Sequence, residues 1–293
     1  MEGKWERRRI LIWGKTRPEL SKTYREIVCT GGIFADTKRL VRLYPIPLRY
    51  MDDEQIFSQY QWIEAYVTKS DSDARPESYK IRADGIQTFG KIETQSGNWD
   101  ARAEWVMRPE NIFQSVEALQ ERQRQDLTSL GLVKPSMITK TIAEPVNQKA
   151  KDEYWRKYQD SLAQMKLPME EIEHREVKPL MPPDFKFKIH FRCDDKRCEH
   201  EHDFSVLDWG TDALYARCRR NGDSQQEAAA KVIDKLKSEV CAEDKDLYFY
   251  LGNIANHPYN FTIVGLWWPK ANSQSSLFSP EPSYSRLHTH SFK

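Results

Sequence analysis

This 293-residue chain has no long hydrophobic run. A membrane helix needs roughly 18 uninterrupted apolar residues, and no segment approaches that; "MEGKWERRRILIWGK" at the N-terminus offers only Ile10 to Trp13 before Gly14, too short for a signal peptide. The expectation is a cytoplasmic protein without membrane contact. An excess of one charge is also missing. With 45 Lys and Arg against 44 Asp and Glu, the net charge is +1, which excludes a sequence-indifferent DNA coat and confines any nucleic-acid contact to a local patch. Cysteines are few and odd in number, five, and Cys29, Cys218 and Cys241 stand singly. That argues against a disulfide framework and for reduced thiols plus a metal site. Glycine is sparse, at 12, and no G-x-x-x-x-G-K-[ST], G-x-G-x-x-G or G-x-S-x-G occurs. Phosphate loops and the hydrolase elbow are thereby removed, and "CTGG" (29 to 32) and "YLGN" (250 to 253) are left as strand ends.

What is present is mostly strand. "RRILIWGK" (8 to 15), "YREIVCTGGIF" (24 to 34), "RLVRLYPIPLRY" (39 to 50) and "YQWIEAYVTK" (60 to 69) are rich in β-branched and aromatic residues between turn formers. In the third, Arg39, Val41 and Leu43 alternate with Leu40, Arg42 and Tyr44, so each face mixes charge with apolar surface, and Pro45 and Pro47 suggest an edge or a strand exit. The spacing of Ile112, Phe113, Val116 and Leu119 predicts a helix over 109–125 that closes a first domain. "SMITKTIAEP" reads as a further strand. Residues 146–176 are charged and helix-forming, an insertion or spacer, with "VKPLMPP" as a stiff connector. Strict alternation in "DFKFKIHF" predicts the clearest strand, and "DFSVLDW" another. Helices follow over "TDALYARCRR" and "SQQEAAAKVIDKLKSEV", with Thr211 and Ser224 as N-caps, then strands over 246–251 and 259–268. Three strands, a helix and two strands is the order of an OB-type barrel. The expected fold is α+β and β-rich: a barrel-like domain over 1–125, a second OB-like domain over 126–268 with a helical insertion at 146–183 and a zinc loop at 193–202, and a flexible tail over 269–293.

The loop "FRCDDKRCEHEHDF" carries the chemistry. Cys193 and Cys198 have four residues between them and His202 follows after three more, with His200 inside that gap. Thiolate and imidazole are the ligands zinc prefers. His200 is the local candidate for a fourth ligand; Cys218, Cys241 and His257 are distant ones. Four protein ligands would make the zinc structural, because a catalytic zinc keeps a position open for water. Asp194, Asp195, Glu199 and Glu201 read as solvated charge. The H-x-E and P-C-x-x-C pattern of nucleobase deaminases is absent.

Arg39, Arg42, Tyr44, Arg49 and Trp62 interleave cations with aromatic faces, the composition that binds phosphates and stacks bases, so DNA, RNA or a nucleotide is the expected ligand. A metal-dependent nuclease built on Asp52, Asp53 and Glu54, or on Asp244 and Asp246, is the alternative. A non-catalytic subunit that docks a protein partner through the 146–176 segment, with Tyr154, Trp155 and Tyr158, is a third.

"IVCTGGIFADTKRLVRLYPIPLRY" resembles the N-terminal part of the dual-OB-containing domain family, through Cys29, Gly31 or Gly32, Val41 and Arg42, although Leu43 and Tyr44 stand between Arg42 and Pro45. The second half is similar to uncharacterised bacterial proteins sharing C-D-D-x-x-C-x-x-x-H and D-W patterns. The first likeness implies small-barrel binding of nucleic acid or nucleotide, within a bacterial defence or mobile-element system. The second implies Cys193, Cys198 and His202, ahead of His200, as core ligands.

Overall fold

A computed structural model describes residues 4–21, 25–94, 97–163, 180–254 and 257–271. The expected tail lies outside the described residues from 272 on, as does 164–179 of the expected insertion.

The first hundred residues form seven strands: β1 (Glu6–Lys15), β2 (Glu19–Ser21), β3 (Arg25–Phe34), β4 (Leu40–Ile46), β5 (Gln61–Lys69), β6 (Ser78–Ile81) and β7 (Gln87–Lys91). Five of them close. The order runs β1-β3-β4-β6-β5, and β5 pairs back onto β1. Every contact in the ring is antiparallel except β4 with β6. Two-residue alternation fills the barrel with Ile10, Ile12, Val41, Leu43, Ile63, Ala65 and Val67. The mixed faces of β4 now have a cause. Val41 and Leu43 point into the barrel, while Leu40 and Arg42 point outward and are still buried, because the second domain covers them. β4 has neighbours on both sides, so it is not an edge; its prolines fall at the strand exit, beside a register shift against β3.

A short helix α1 (Asp100–Val106) leads into the second domain. There the sequence expectation needs correction. Ile112 and Phe113 form a two-residue strand, β8 (Ile112–Phe113), and the helix α2 (Val116–Asp126) starts later, capped by the Ser115 side chain, which accepts from Ala118 N. Val116 and Leu119 of α2 pack in the second core, so the helix does not close the first domain.

The remaining strands are β9 (Leu130–Val133), β10 (Met137–Pro145), β11 (Phe185–Arg192), β12 (His202–Ser205), β13 (Tyr248–Ile254) and β14 (His257–Trp267). The helices are α3 (Gln148–Ala163), α4 (Trp209–Arg220) and α5 (Gln225–Lys235). They make two sheets, β10-β11-β12 and β14-β13-β9-β8. Between the two, the described residues show an isolated bridge, Val206 with Ile263, and the bond Leu207 N to Ile263 O at 2.7 Å. The second expected barrel is thus two linked sheets rather than a closed ring among the described residues. "DFSVLDW" is also shorter as a strand than expected: Asp208 accepts from Thr211 N and caps α4 in place of Thr211, so Trp209 begins the helix. Ser224 caps α5 as expected, with Glu227 completing a reciprocal capping box.

The domains share a third core. Trp13 leaves the barrel wall, stacks on Tyr250 with ring centroids 4.1 Å apart and planes at 2°, and donates to Gly32 O at 3.0 Å. Leu11, Ile33, Leu40 and Tyr60 from the barrel meet Leu130, Leu132, Val264 and Trp267 around it. α3 returns to the first domain and packs on β2 and β3. Tyr154 donates to Leu180 O at 2.8 Å, and Leu180 N to Glu26 Oε1 at 3.0 Å.

Candidate metal centre and nucleic-acid interface

β11 ends at Arg192, and the chain turns through Cys193 to Cys198 before re-entering the sheet at His202. This brings both thiols to one end of the β11–β12 hairpin. α2 crosses that end and contributes Glu117. The ligand atoms of Glu117, Cys193, Cys198 and His202 all lie within 4.8 Å of one another. Cys198 Sγ is 3.3 Å from His202 Nε2, and the same nitrogen is 3.3 Å from Glu117 Oε1. A tetrahedral zinc with bonds of about 2.0–2.3 Å separates its ligand atoms by about 3.3–3.7 Å, so both edges have the right length. Glu117 Oε2 is buried without a hydrogen-bond partner among the described residues, as expected of a carboxylate whose partner is an ion.

The surroundings hold the four groups in place. Cys193 N donates to Cys198 Sγ at 3.4 Å, and the Val116 backbone at the start of α2 hydrogen-bonds the Cys193 thiol. Burial pushes that thiol up to about 12, so a thiolate there needs a cation. His202 is flanked by the Phe191 and Phe204 rings. Asp195 is not solvated charge: it accepts from Ser115 Oγ at 2.6 Å and pairs with Arg197, which reaches Glu121 at 2.7 Å, so the cysteine loop is fastened to α2 twice. Asp194, Glu199 and Glu201 are exposed as expected, although Glu201 also hydrogen-bonds Thr139 and His190. His200 stands outside the cluster and is exposed; its carbonyl accepts from Cys198 Sγ at 3.5 Å. Cys218, Cys241 and His257 are not in the cluster either. The sequence carried no signal for Glu117, a helical glutamate far upstream of the loop. Among the described residues, neither Asp52, Asp53 and Glu54 nor Asp244 and Asp246 joins a metal-sized cluster.

The five residues proposed to contact nucleic acid do not form one surface. Arg42 is 7% exposed; its guanidinium contacts Cys29 Sγ at 3.6 Å and donates to Ser129 O at 3.2 Å across the domain seam. Arg49 pairs with Glu26. Arg39 and Tyr44 are exposed. Trp62 takes part in a different row, on the outer wall of the barrel where β1, β5, β7 and α1 meet. Lys38 Nζ lies 5.0 Å over the Trp105 ring, Trp105 meets Trp62 edge to face at 4.8 Å, and Arg9 lies 5.2 Å over Trp62 and 5.4 Å over Phe89. A bulge in the β5–β7 pairing places Phe89 opposite Trp62. Arg9, Lys38, Trp105 and Phe89 come from segments far apart in the sequence, so no local pattern of the chain unites them.

No helix among the described residues is long and apolar enough to cross a membrane. Among curated proteins, none matches the chain. Residues 6–108, the barrel and α1, match a family described as Domain of unknown function (DUF8758). Residues 112–282 match a second family, and this stretch is more than half of the 293 residues: the chain belongs to the family described as Domain of unknown function (DUF8757).

Proposed function

We propose that this is a nucleic-acid-recognition protein whose first domain is an OB-type barrel and whose second domain is stapled by a structural zinc. The observation that carries the reading is the closure of the first barrel. Counted along the chain, its strands follow the order 1-2-3-5-4 with the third and fifth parallel, the Greek-key arrangement of OB folds. That fold is widely used to bind oligonucleotides and oligosaccharides, and the warrant from it is an analogy of fold. Charge favours a phosphate-bearing ligand over a sugar: Arg9, Lys38 and Arg39 have no ion pair among the described residues. The resemblance to the dual-OB-containing family points the same way, and what it implies for the setting is a bacterial defence or mobile-element system.

The test is fluorescence anisotropy with labelled DNA and RNA oligonucleotides over a salt series. Phosphate contacts release counterions, so affinity should fall steeply with salt. Absence of binding to every oligonucleotide at low salt would reject the reading.

The zinc assignment rests on the donor set. Two thiols, an imidazole and one carboxylate suit zinc, and four protein ligands leave no open position, which favours a structural role over a catalytic one. Elemental analysis should return about one zinc per chain, retained until unfolding.

A further inference from the structure

The face of the barrel that carries Arg42 is sealed. Ser129 is held there from both sides, by the Arg42 guanidinium and by Glu77, which accepts from Ser129 N at 2.9 Å and from Ser129 Oγ at 2.8 Å. Trp13 and Tyr250 close the same side, and Gly31 and Gly265 flank the indole so tightly that added Cβ atoms would meet it at 2.0 and 2.9 Å. A ligand cannot reach the outer surface of β3 and β4 there without separating the domains.

The neighbouring wall is open. Outward residues of β1 alternate Arg7, Arg9, Leu11, and those of β5 run Trp62, Glu64, Tyr66 in register with them. Leu11 is covered by the second domain, whereas Arg9 is exposed. At this rim Arg9 lies between the Phe89 and Trp62 rings, Trp62 meets Trp105 edge to face, and Lys38 lies over Trp105, with spacings of 4.8 to 5.4 Å. Phe89 leaves 38% of its surface in solvent, and the Arg9 guanidinium lies 5.4 Å over its ring. Glu64, which faces Arg9 in register, gives its carboxylate to Arg7 at 2.9 Å, and Arg9 has no ion pair among the described residues.

Cations over ring faces, unpaired with carboxylates, are groups whose partners can exchange. A base can take the ring face while the cation swings to the adjoining phosphate. In duplex nucleic acid the base faces are hidden in the stack, and only an unpaired strand offers them. We infer that the Phe89–Arg9–Trp62–Trp105–Lys38 row is the binding site for a single-stranded nucleic acid, with bases on the rings and phosphates on Arg9 and Lys38. This rests on the nucleic-acid reading above and moves its contact from Arg42 and Arg49 to another wall of the barrel.

The experiment compares a 12-nucleotide oligothymidine, the same length of duplex and inorganic polyphosphate, binding to wild type, Phe89→Ala, Arg9→Gln and Lys38→Gln. All three substitutions are at the surface, and unchanged melting temperatures confirm that each variant folds. The expected result is quenching of tryptophan fluorescence by the single strand, at least ~10-fold preference for it over duplex, and a loss of ~5-fold or more in Phe89→Ala and Arg9→Gln. Equal affinity for the duplex or for polyphosphate overturns the inference, because charge alone would then explain binding. Wild-type affinity in all variants, with nucleic-acid binding intact, overturns the row while sparing the wider reading. No binding of any nucleic acid removes both.

Discussion

Gly31 sits where the Trp13 indole crosses from the barrel into the second domain, and an added methyl would meet the ring carbon Cζ2 at 2.0 Å. Gly31→Ala should therefore lower stability by about 1–3 kcal/mol or more through overpacking, read as a shift in the urea midpoint. Asp208 makes a separate prediction. Burial pushes its carboxyl up to about 6, against the pull of the Thr211 and Gly210 backbone and of Lys15, and with a smaller push from Asp212. Its folded pKa lies above the usual value of 3.8, so the folded state holds an extra proton between the two. Stability contributed by this group is therefore present below about pH 4, falls as pH rises towards about 6, and is flat above that. Asp208→Asn keeps a good cap and removes the titration. Relative to wild type, the variant should gain on the order of 2 kcal/mol between pH 4 and 7 in denaturation curves; a constant difference across that range would refute the assignment.

At the scale of elements, α2 and the β11–β12 hairpin belong to different parts of the chain and meet at the four-ligand cluster. If the metal joins them, Cys193→Ser should lose most of the bound zinc and lower the melting transition of the second domain, since structural zinc contributes several kcal/mol to folding. Glu117→Gln should weaken zinc binding as well, whereas His200→Ala should leave both the stoichiometry and the transition unchanged. Retention of one zinc by Glu117→Gln together with loss in His200→Ala would place the fourth ligand in the loop instead. α3 shows how an element read as a spacer can dock at home. Its Tyr154 is tied to Leu180, and the segment lies on β2 and β3, so the aromatic cluster proposed to meet a partner is at least partly engaged with its own protein.

For the whole molecule, the seam between the domains is more than a linker. Arg75 donates to Asn253 O at 2.9 Å and Oδ1 at 3.1 Å, and Asp73 holds Arg75 in place from behind. Arg42 does the same at Ser129. Arg42→Ala should cost about 1–3 kcal/mol, because it removes a charged donor from Ser129 O, which keeps only Asn253 N at 3.2 Å, and empties buried volume in the seam. It should also speed hydrogen exchange at the Ser129 and Leu130 amides and leave single-strand affinity within about 2-fold of wild type. A large affinity loss without destabilisation would return Arg42 to the binding surface.

How much of this was legible beforehand follows from which interactions are local. β1, β3 and β5 were readable within a residue or two because each carries its own apolar alternation, whereas β4 was readable at its start but stops at Ile46 rather than at residue 50, where its prolines take the chain out of the sheet; Ser224 was readable because a cap needs only its own first turn. β6 and β9, each four residues long, were not. β6 closes the barrel and β9 runs through the centre of the second large sheet, yet both draw their stability from neighbours on either side rather than from a periodic pattern. The same division runs through the candidate site. The sequence by itself determined that two thiols and a histidine would share one loop, since their spacing along a hairpin leaves them little choice. Only the tertiary structure decided that a glutamate from a remote helix would stand beside them, that Arg42 would be buried in a seam, and that Phe89, Arg9, Trp62, Trp105 and Lys38 would line one wall. Those placements depend on barrel closure and domain contact, which no short stretch of chain encodes.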